Sequence, residues 1–284
     1  MVIDSPGLII DEHNYYSFVA NKNFMGSTQY GVFKSCEARG YAQFVSGEYE
    51  EEEKDYYIQG NYVDRAVLQP DRLQEFKDYY AADINAKTGD NKGKPLKKYQ
   101  DCDKWVEAIK AQGDLMRLLD SCSDKQRLIT WFMFGVWWKG ALDACDYNKL
   151  VDLKTTKSIT KDTWVDSSTP GERGKFMNFI DAFNYYRQMA IYWEGMRQND
   201  MADDNIQVHI VAVEKATKGA VNTEWYYLEA HGRMNEELQD IERAMPRILE
   251  VKAGEVKPKR CGRCDYCIKT KVITAPIKLD GWNI

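Results

Sequence analysis

The sequence predicts a mixed α/β fold in which a central sheet is flanked by helices. Three observations lead there. Helical periodicity dominates residues 27–119 and returns at 175–198 and 233–252. Runs of β-branched and aromatic residues are confined to 128–155, 206–214 and 223–229. The resulting order of helices, strand meander, helix, strands and helix suits one sheet with helical layers. At 284 residues, with 44% apolar and 13% aromatic side chains, the chain can build a full core and is not a low-complexity polypeptide.

Taken in order, Ser27 is the expected N-cap of a helix carrying Tyr30, Phe33, Cys36, Ala42 and Val45, which stops at Gly47. Helices are expected over 57–68, 71–85 and 101–119, with the polar, glycine-bearing segment 87–98 as a mobile loop. The texture changes at Gln126. The run Leu128-Ile-Thr-Trp-Phe-Met-Phe134 and the segment from Val136 to Cys145 read as two strands turning at Gly135. Residues 149–155 follow as a third strand after Asp146-Tyr-Asn148. Residues 163–174, with Ser167, Ser168, Pro170 and Gly171, read as a loop, and 175–198 as one long helix.

Net charge is −5, but it is unevenly spread. Residues 1–55 hold ten acids and four bases, including the run Glu50, Glu51, Glu52, Glu53. Residues 251–278 hold eight bases against two acids. Lys257, Lys259, Arg260, Arg263, Lys269 and Lys271 form a basic strip that is either a solvated tail or a contact to nucleic acid phosphates. The uncharged apolar runs are too short to cross a bilayer, and the first ten residues lack a charged leader pattern, so a soluble, unexported protein without membrane partners is expected. Only His13, His209 and His231 are present, which favours carboxylate or cysteine chemistry over histidine chemistry.

The carboxylates have the most informative spacing. Asp143 is followed nine residues on by Asp152-Leu153-Lys154. Side chains alternate along a strand, so Asp152 and Lys154 share a face while Leu153 turns to the core and leaves its carbonyl free as an oxygen donor. Asp143, on the neighbouring strand, can reach the same point. Two carboxylates and a carbonyl are hard oxygen ligands suited to Mg²⁺ or Mn²⁺. Beside such an ion, Lys154 would hold the attacking water and offset charge building on a phosphate. Taken alone, an Asp-x-Lys triplet is also common on solvated strand ends.

Gly140-Ala-Leu-Asp143 followed by Val151-Asp-Leu-Lys-Thr-Thr156 resembles the core of the PD-(D/E)xK nuclease superfamily. Gln188 and Tyr192, in Tyr185-Tyr-Arg-Gln-Met-Ala-Ile-Tyr192, resemble the Q-x-x-x-Y element of its exonuclease branch, which includes RecE-like phage nucleases, AddB-type nuclease domains and CRISPR-adaptation nucleases. The i, i+4 spacing puts both side chains on one helical face. Gly60-Asn-Tyr-Val-Asp64 resembles the family's G-x-x-x-H element with Asp64 in place of the histidine, which would make the metal site all-oxygen. The resemblance implies a restriction-endonuclease-like sheet and one nuclease domain over 1–284. Within it, 56–120 would be a helical insertion, 121–230 the catalytic sheet with the Gln-Tyr helix, and 252–284 a basic tail joined to Cys36. Glu214-Lys215, ending the next strand, could face the same cleft.

Seven cysteines in an unexported protein are expected to be reduced unless they bind metal. Cys102, Cys122 and Cys145 are isolated. Cys261-Gly-Arg-Cys264-Asp-Tyr-Cys267 gathers three thiolates in one turn, and a four-ligand site needs one more. The resemblance supplies it: in the iron–sulfur branch one N-terminal cysteine, here Cys36, joins three C-terminal ones around a [4Fe–4S] cluster, with Zn²⁺ as the alternative. It further implies an exonuclease resecting linear duplex DNA ends for phage-type recombination, 5′→3′, in a bacterial host's cytoplasm beside a RecT-like annealing protein. A homo-oligomer is left open. A CRISPR-adaptation nuclease and an inactive cluster-bearing DNA-binding module are the competing readings.

Overall fold

The computed structural model describes residues 7–51, 55–165, 174–229 and 231–274. Glu52 and Glu53 of the acidic run, residues 166–173 of the expected loop, and 275–284 of the tail with Lys278 lie outside the described residues.

Five strands form one sheet in the order β1-β2-β3-β6-β7: β1 (Asp124–Met133), β2 (Val136–Asp146), β3 (Lys149–Thr156), β6 (Gln207–Glu214) and β7 (Thr223–Leu228). The β3–β6 pair is parallel and the others are antiparallel. The β1–β2 hairpin turns on Phe134 and Gly135, both left-handed (φ 52° and 84°), which is the two-residue turn whose twist matches its strands. A parallel pair needs a crossover, and the helix Tyr185–Gln198 supplies it.

Period-two alternation sends the sheet's apolar residues to two helical layers. On one face Leu142, Leu150, Val208, Ile210 and Ala212 pack with Met189, Trp193 and Met196 of the crossover helix and Ile241 and Met245 of the helix His231–Ala253. On the other, Val151, Leu153, Val211 and Val213 meet Ile58, Tyr62 and Val63 of the helix Asp55–Leu68, Trp105 and Ile109 of the helix Lys97–Lys110, and Leu119 of the helix Gly113–Ser121. Each fully buried Leu, Ile or Val contributes roughly 1.5–3 kcal/mol, so both layers are held to the sheet by apolar burial. The mixed central sheet, its flanking helices and the C-terminal cysteine cluster are as expected.

Several elements differ in their ends. The first expected helix is broken at Cys36, whose extended backbone (φ −161°, ψ 102°) separates Ser27–Ser35 from Glu37–Tyr41. Cys36 caps the second helix, its Sγ accepting from the Arg39 N–H at 3.4 Å, so it lies between helices and not within one. Gly26, not Ser27, is the first N-cap, and the chain does stop at a left-handed Gly47. Residues 71–85 divide into a 3₁₀ turn and two short helices, Leu73–Tyr79 and Ala81–Ile84. Residues 101–119 divide at Gln112, before Gly113. Segment 87–98 folds back on itself: Gly93 N–H donates to Ala86 O and Ala86 N–H to Lys94 O, each at 2.9 Å, and Lys97 and Lys98 already belong to the next helix.

The expected loop 163–174 begins as β4 (Thr163–Val165), which pairs with β5 (Lys175–Met177) in a separate two-stranded ribbon. Lys175 therefore starts a strand, not the long helix. Asn178 then caps the short helix Phe179–Ala182 by accepting from the Asp181 N–H, and left-handed Asn184 (φ 57°) breaks the chain again before Tyr185. Two asparagines at cap positions override the helical periodicity around them.

Candidate active site

The pairing of β2 with β3 runs from Asp146↔Lys149 to Ala144↔Val151 and there it stops. One residue beyond, the strands separate. The Leu153 N–H donates across the gap to Asp143 Oδ2 at 2.9 Å instead of to a backbone carbonyl of β2. In an antiparallel ladder the N–H and C=O of one residue leave the same edge, so the Leu153 carbonyl opens onto this gap as well. Gln126 holds the other carboxylate oxygen, donating from Nε2 to Asp143 Oδ1 at 3.1 Å from a left-handed position (φ 53°) in β1.

Asp152 is 1% exposed, and Lys154 Nζ lies 2.5 Å from its Oδ2. That contact is a buried ion pair, and it is the charge that most lowers the Asp152 carboxyl against its burial. Lys154 Nζ also sits 5.0 Å from the centroid of the Tyr185 ring. On the same helix Gln188 Nε2 donates to the Tyr192 hydroxyl at 3.1 Å. The Tyr192 ring packs on Gly140, where a Cβ would come within 3.2 Å of it; this close approach explains the glycine three residues before Asp143.

Asp64, on the helix against the sheet's other face, lies near enough for the charges of Asp143, Lys154 and Asp152 to act on its carboxyl. Burial pushes Asp64 well above the usual carboxylate range, with Asp143 adding to it. Burial and then the charge of Asp152 push Asp143 up to about 7. Burial raises Asp152 too, although Lys154 opposes the shift. Burial alone would lower Lys154, but Asp152 leads the charges that outweigh it and keep the ammonium protonated. Three carboxylates facing one lysine leave an excess of negative charge in a poorly solvated site. A divalent cation fits that excess of charge and the hard oxygen donors.

The fork thus brings together Asp143, Asp152, Leu153 and Lys154, with Gln188 and Tyr192 on the helix behind them and Asp64 on the helix of the other layer, within reach of their charge. Lys215 comes to the Asp64 side, 5.6 Å from the centroid of the Tyr56 ring. Sequence reasoning missed Gln126 and Tyr185. Tyr185 precedes Gln188 by three residues on the same helical face, a spacing that could have flagged it, whereas the left-handed turn at Gln126 has no such signal.

The cysteines gather elsewhere. Sγ atoms of Cys36, Cys261, Cys264 and Cys267 all lie within 4.8 Å of one another, Cys36 to Cys267 at 3.6 Å and Cys261 to Cys267 at 3.9 Å. Burial opposes ionisation of Cys261, but the N–H groups of Arg263 and Cys264 outweigh it and bring this thiol down to about 6. Glu37 anchors the junction, accepting from Arg247 at 3.2 and 3.0 Å and from the Lys259 N–H at 2.7 Å. Cys102, Cys122 and Cys145 are buried in the two cores. Lys257, Lys259, Arg263, Lys269 and Lys271 are exposed. Arg260 is exposed too but folds back on the tail, donating to the Cys267 carbonyl at 3.0 Å and to Thr270 Oγ1 at 2.5 Å.

An Asp on one strand and Asp-x-Lys on the next, converging where the strands part and backed by a Gln-Tyr helix, define the PD-(D/E)xK nuclease class. The PDDEXK-like domain of unknown function (DUF3799) matches residues 26–270, and the chain belongs to that family. It is also similar to the crystal structure of a candidate exonuclease from Eubacterium rectale. The TM-score is 0.82 at 29% sequence identity, over 96% of this chain and 97% of that one. No curated protein matches the chain. Among the described residues no helix is long and apolar enough to cross a membrane.

Proposed function

We propose that this protein is a Mg²⁺- or Mn²⁺-dependent deoxyribonuclease that degrades linear duplex DNA from its ends. The observation that carries the reading is the convergence of Asp143 with Asp152, Leu153 and Lys154 at the β2–β3 fork. The name of the similar Eubacterium rectale protein supports exonuclease over endonuclease activity.

Asp64, Asp143, Asp152 and the Leu153 carbonyl would hold the cation. When bound, it polarises a phosphoryl oxygen and eases deprotonation of water. Lys154, kept charged by Asp152, orients the attacking water and offsets charge growing on the phosphate. The Tyr192 hydroxyl, held protonated by burial and by the Asp152 charge, remains a neutral donor to a phosphate oxygen. Gln188 fixes its direction. Water adds to phosphorus as a P–O ester bond breaks, giving a phosphomonoester and a free hydroxyl. Lys257, Lys259, Arg260, Arg263, Lys269 and Lys271 would contact the backbone of the duplex.

The 5′→3′ direction, a recombination role and a RecT-like annealing partner rest on the family resemblance. So does a [4Fe–4S] centre on Cys36, Cys261, Cys264 and Cys267. The sulfur spacing favours a second reading: a Zn–S distance of about 2.3 Å sets a tetrahedron edge of about 3.8 Å, close to what these thiols adopt, whereas a four-iron cluster spreads its ligands over four corners.

The test is an end-labelled linear duplex incubated with Mg²⁺, Mn²⁺ or EDTA, beside closed circular DNA. The expected result is a ladder shrinking from one labelled end, abolished by EDTA, with circles intact. Cleaved circles would make the protein an endonuclease. No cleavage of either substrate would overturn the reading.

A further inference from the structure

Before the chain enters the sheet it passes beside the fork. Residues 9–17 fold into a compact turn. The Asn14 side chain donates to the Ile9 carbonyl at 2.8 Å, the Asp11 carboxylate accepts from the His13 and Asn14 N–H groups at 2.9 Å each, and the Tyr15 N–H donates to the Asp11 carbonyl at 2.9 Å. This turn is tied at two places. On one side Lys139 of β2, 3% exposed, donates from Nζ to the Tyr15 carbonyl and, at 2.8 Å, to Asn21 Oδ1, and it lies 4.6 Å from the centroid of the Tyr15 ring. On the other, Glu12 pairs with Arg72 at 2.5 Å, just past the helix that carries Asp64. The turn therefore bridges the strand of Asp143 and the helical layer of Asp64.

The residue that this bridge presents is Tyr16. Its ring meets the Tyr15 ring edge to face at 4.8 Å, and it is 77% exposed, so packing does not account for it. Its hydroxyl end nevertheless reaches among the walls of the cleft, near enough for the charges of Asp143, Asp64 and Lys154 to act on it and for it to act on Tyr192. None of these groups is its hydrogen-bond partner. Asp143 takes its bonds from Leu153 and Gln126, and the Tyr192 hydroxyl takes one from Gln188. Burial and then the charges of Asp143 and Asp64 keep the Tyr16 proton in place, which leaves a neutral donor facing the space in front of the carboxylates. An anionic oxygen brought into that space by a cation is the acceptor that such a donor lacks.

We propose that the Tyr16 hydroxyl donates to a non-bridging phosphate oxygen of the DNA strand entering the fork. Lys139 and Arg72, by fixing both sides of the turn, would hold the hydroxyl in place before the strand arrives. The proposal rests on the nuclease reading for its substrate.

Its test is a series of duplexes in which each linkage near one end is replaced in turn by a methylphosphonate of one or the other stereochemistry, so that one non-bridging oxygen is removed at a time. Binding is measured with Ca²⁺ in place of Mg²⁺, under conditions where an end label shows no cleavage. Wild-type protein should lose affinity about 10-fold for one stereoisomer at one linkage, as expected for one hydrogen bond to a charged group. Tyr16→Phe, which keeps the ring, should bind the unmodified duplex about 10-fold more weakly and no longer respond to that stereoisomer. Its melting temperature should equal that of wild-type protein. An unaltered stereoisomer profile in Tyr16→Phe would overturn the contact, and if that variant also melted earlier, Tyr16 would be a packing residue. Wild-type protein that shows the stereoisomer-specific loss but cleaves no DNA in Mg²⁺ would sink the nuclease reading and leave the phosphate contact standing.

Discussion

The Asp143 carboxylate accepts the Leu153 N–H at 2.9 Å across the point where β2 and β3 separate. A side chain thus substitutes for the ladder bond that the parting strands give up, and the same bond aims the carboxylate at Asp152 and Lys154. Chemistry and strand geometry are coupled here. Asp152→Asn keeps the shape but removes the charge that would hold a cation, and Lys154→Ala removes the group that orients water. Each should lower cleavage by about 10³-fold or more while DNA binding persists. Asp143→Asn should match Asp152→Asn, and Asp64→Asn should be milder. Gel-shift and end-label assays on each variant check this, and wild-type turnover by Asp152→Asn would remove the site.

Gln126 touches Asp143 alone in this group, so it should act as a positioning residue. Gln126→Ala frees one oxygen of Asp143 and should lower kcat by about 10-fold with KM for DNA little changed, a loss equivalent to one hydrogen bond to a charged group. Titrating Mn²⁺ against activity should show a requirement met only at higher concentration. A change confined to KM would assign Gln126 to substrate binding instead.

The range of the forces involved decides how much of this is legible in the sequence. The strands of the central sheet are readable because period-two burial and the turn at Phe134-Gly135 are local signals. Asp152 and Lys154 on one face follow from the same period. The ribbon is not readable: three-residue strands pair through long-range contacts between Trp164 and Phe176, and periodicity cannot separate them from a loop or a helix start. Cys36 reads as part of a helix because its extended backbone serves a partner more than two hundred residues away. Gln126 is invisible because its role depends on a left-handed φ that a non-glycine residue rarely adopts.

Asp143 should also give stability a characteristic pH dependence when no metal is bound. Its carboxyl titrates at 3.8 unfolded and at about 7 folded, raised by burial and Asp152. Between these values the folded state holds a proton that the unfolded state releases, so rising pH costs stability. Relative to Asp143→Asn, the wild-type protein in EDTA should lose stability from about pH 4 to about pH 7. Mn²⁺ should restore it most at the alkaline end, because the ligand must be deprotonated. Denaturant midpoints at several pH values measure this, and parallel curves for the two proteins would refute it.

The basic strip is tested by salt. Reversing Lys257, Lys259 and Lys271 to Glu should weaken binding to every DNA sequence alike, and the log–log salt slope should fall by about 0.9 for each phosphate that is no longer neutralised. Arg260 is left out of that set because its guanidinium already caps the tail at Cys267 and Thr270. An unchanged slope would make the strip a solvated surface.

Cys36, Cys261, Cys264 and Cys267 should behave as one unit. Their sulfurs lie within 4.8 Å of one another although Cys36 is 231 positions from Cys267, so a shared metal would tie the start of the fold to its end. Removing any one thiolate leaves three ligands and an open position. Each single Cys→Ser variant should therefore lose the metal and lower Tm on the order of 10 °C, because metal affinity here is coupled to tertiary structure. Cys102→Ser, Cys122→Ser and Cys145→Ser should keep the metal, since those thiols are buried in the two apolar cores. Protein purified without oxygen and analysed by elemental content and visible absorbance separates the two centres: broad brown absorbance with about four irons for the cluster, or colourless protein with one zinc for the single ion. Full metal content in Cys36→Ser would show that the fourth ligand lies elsewhere and that the two ends of the chain are joined by Glu37 and Arg247 without a metal.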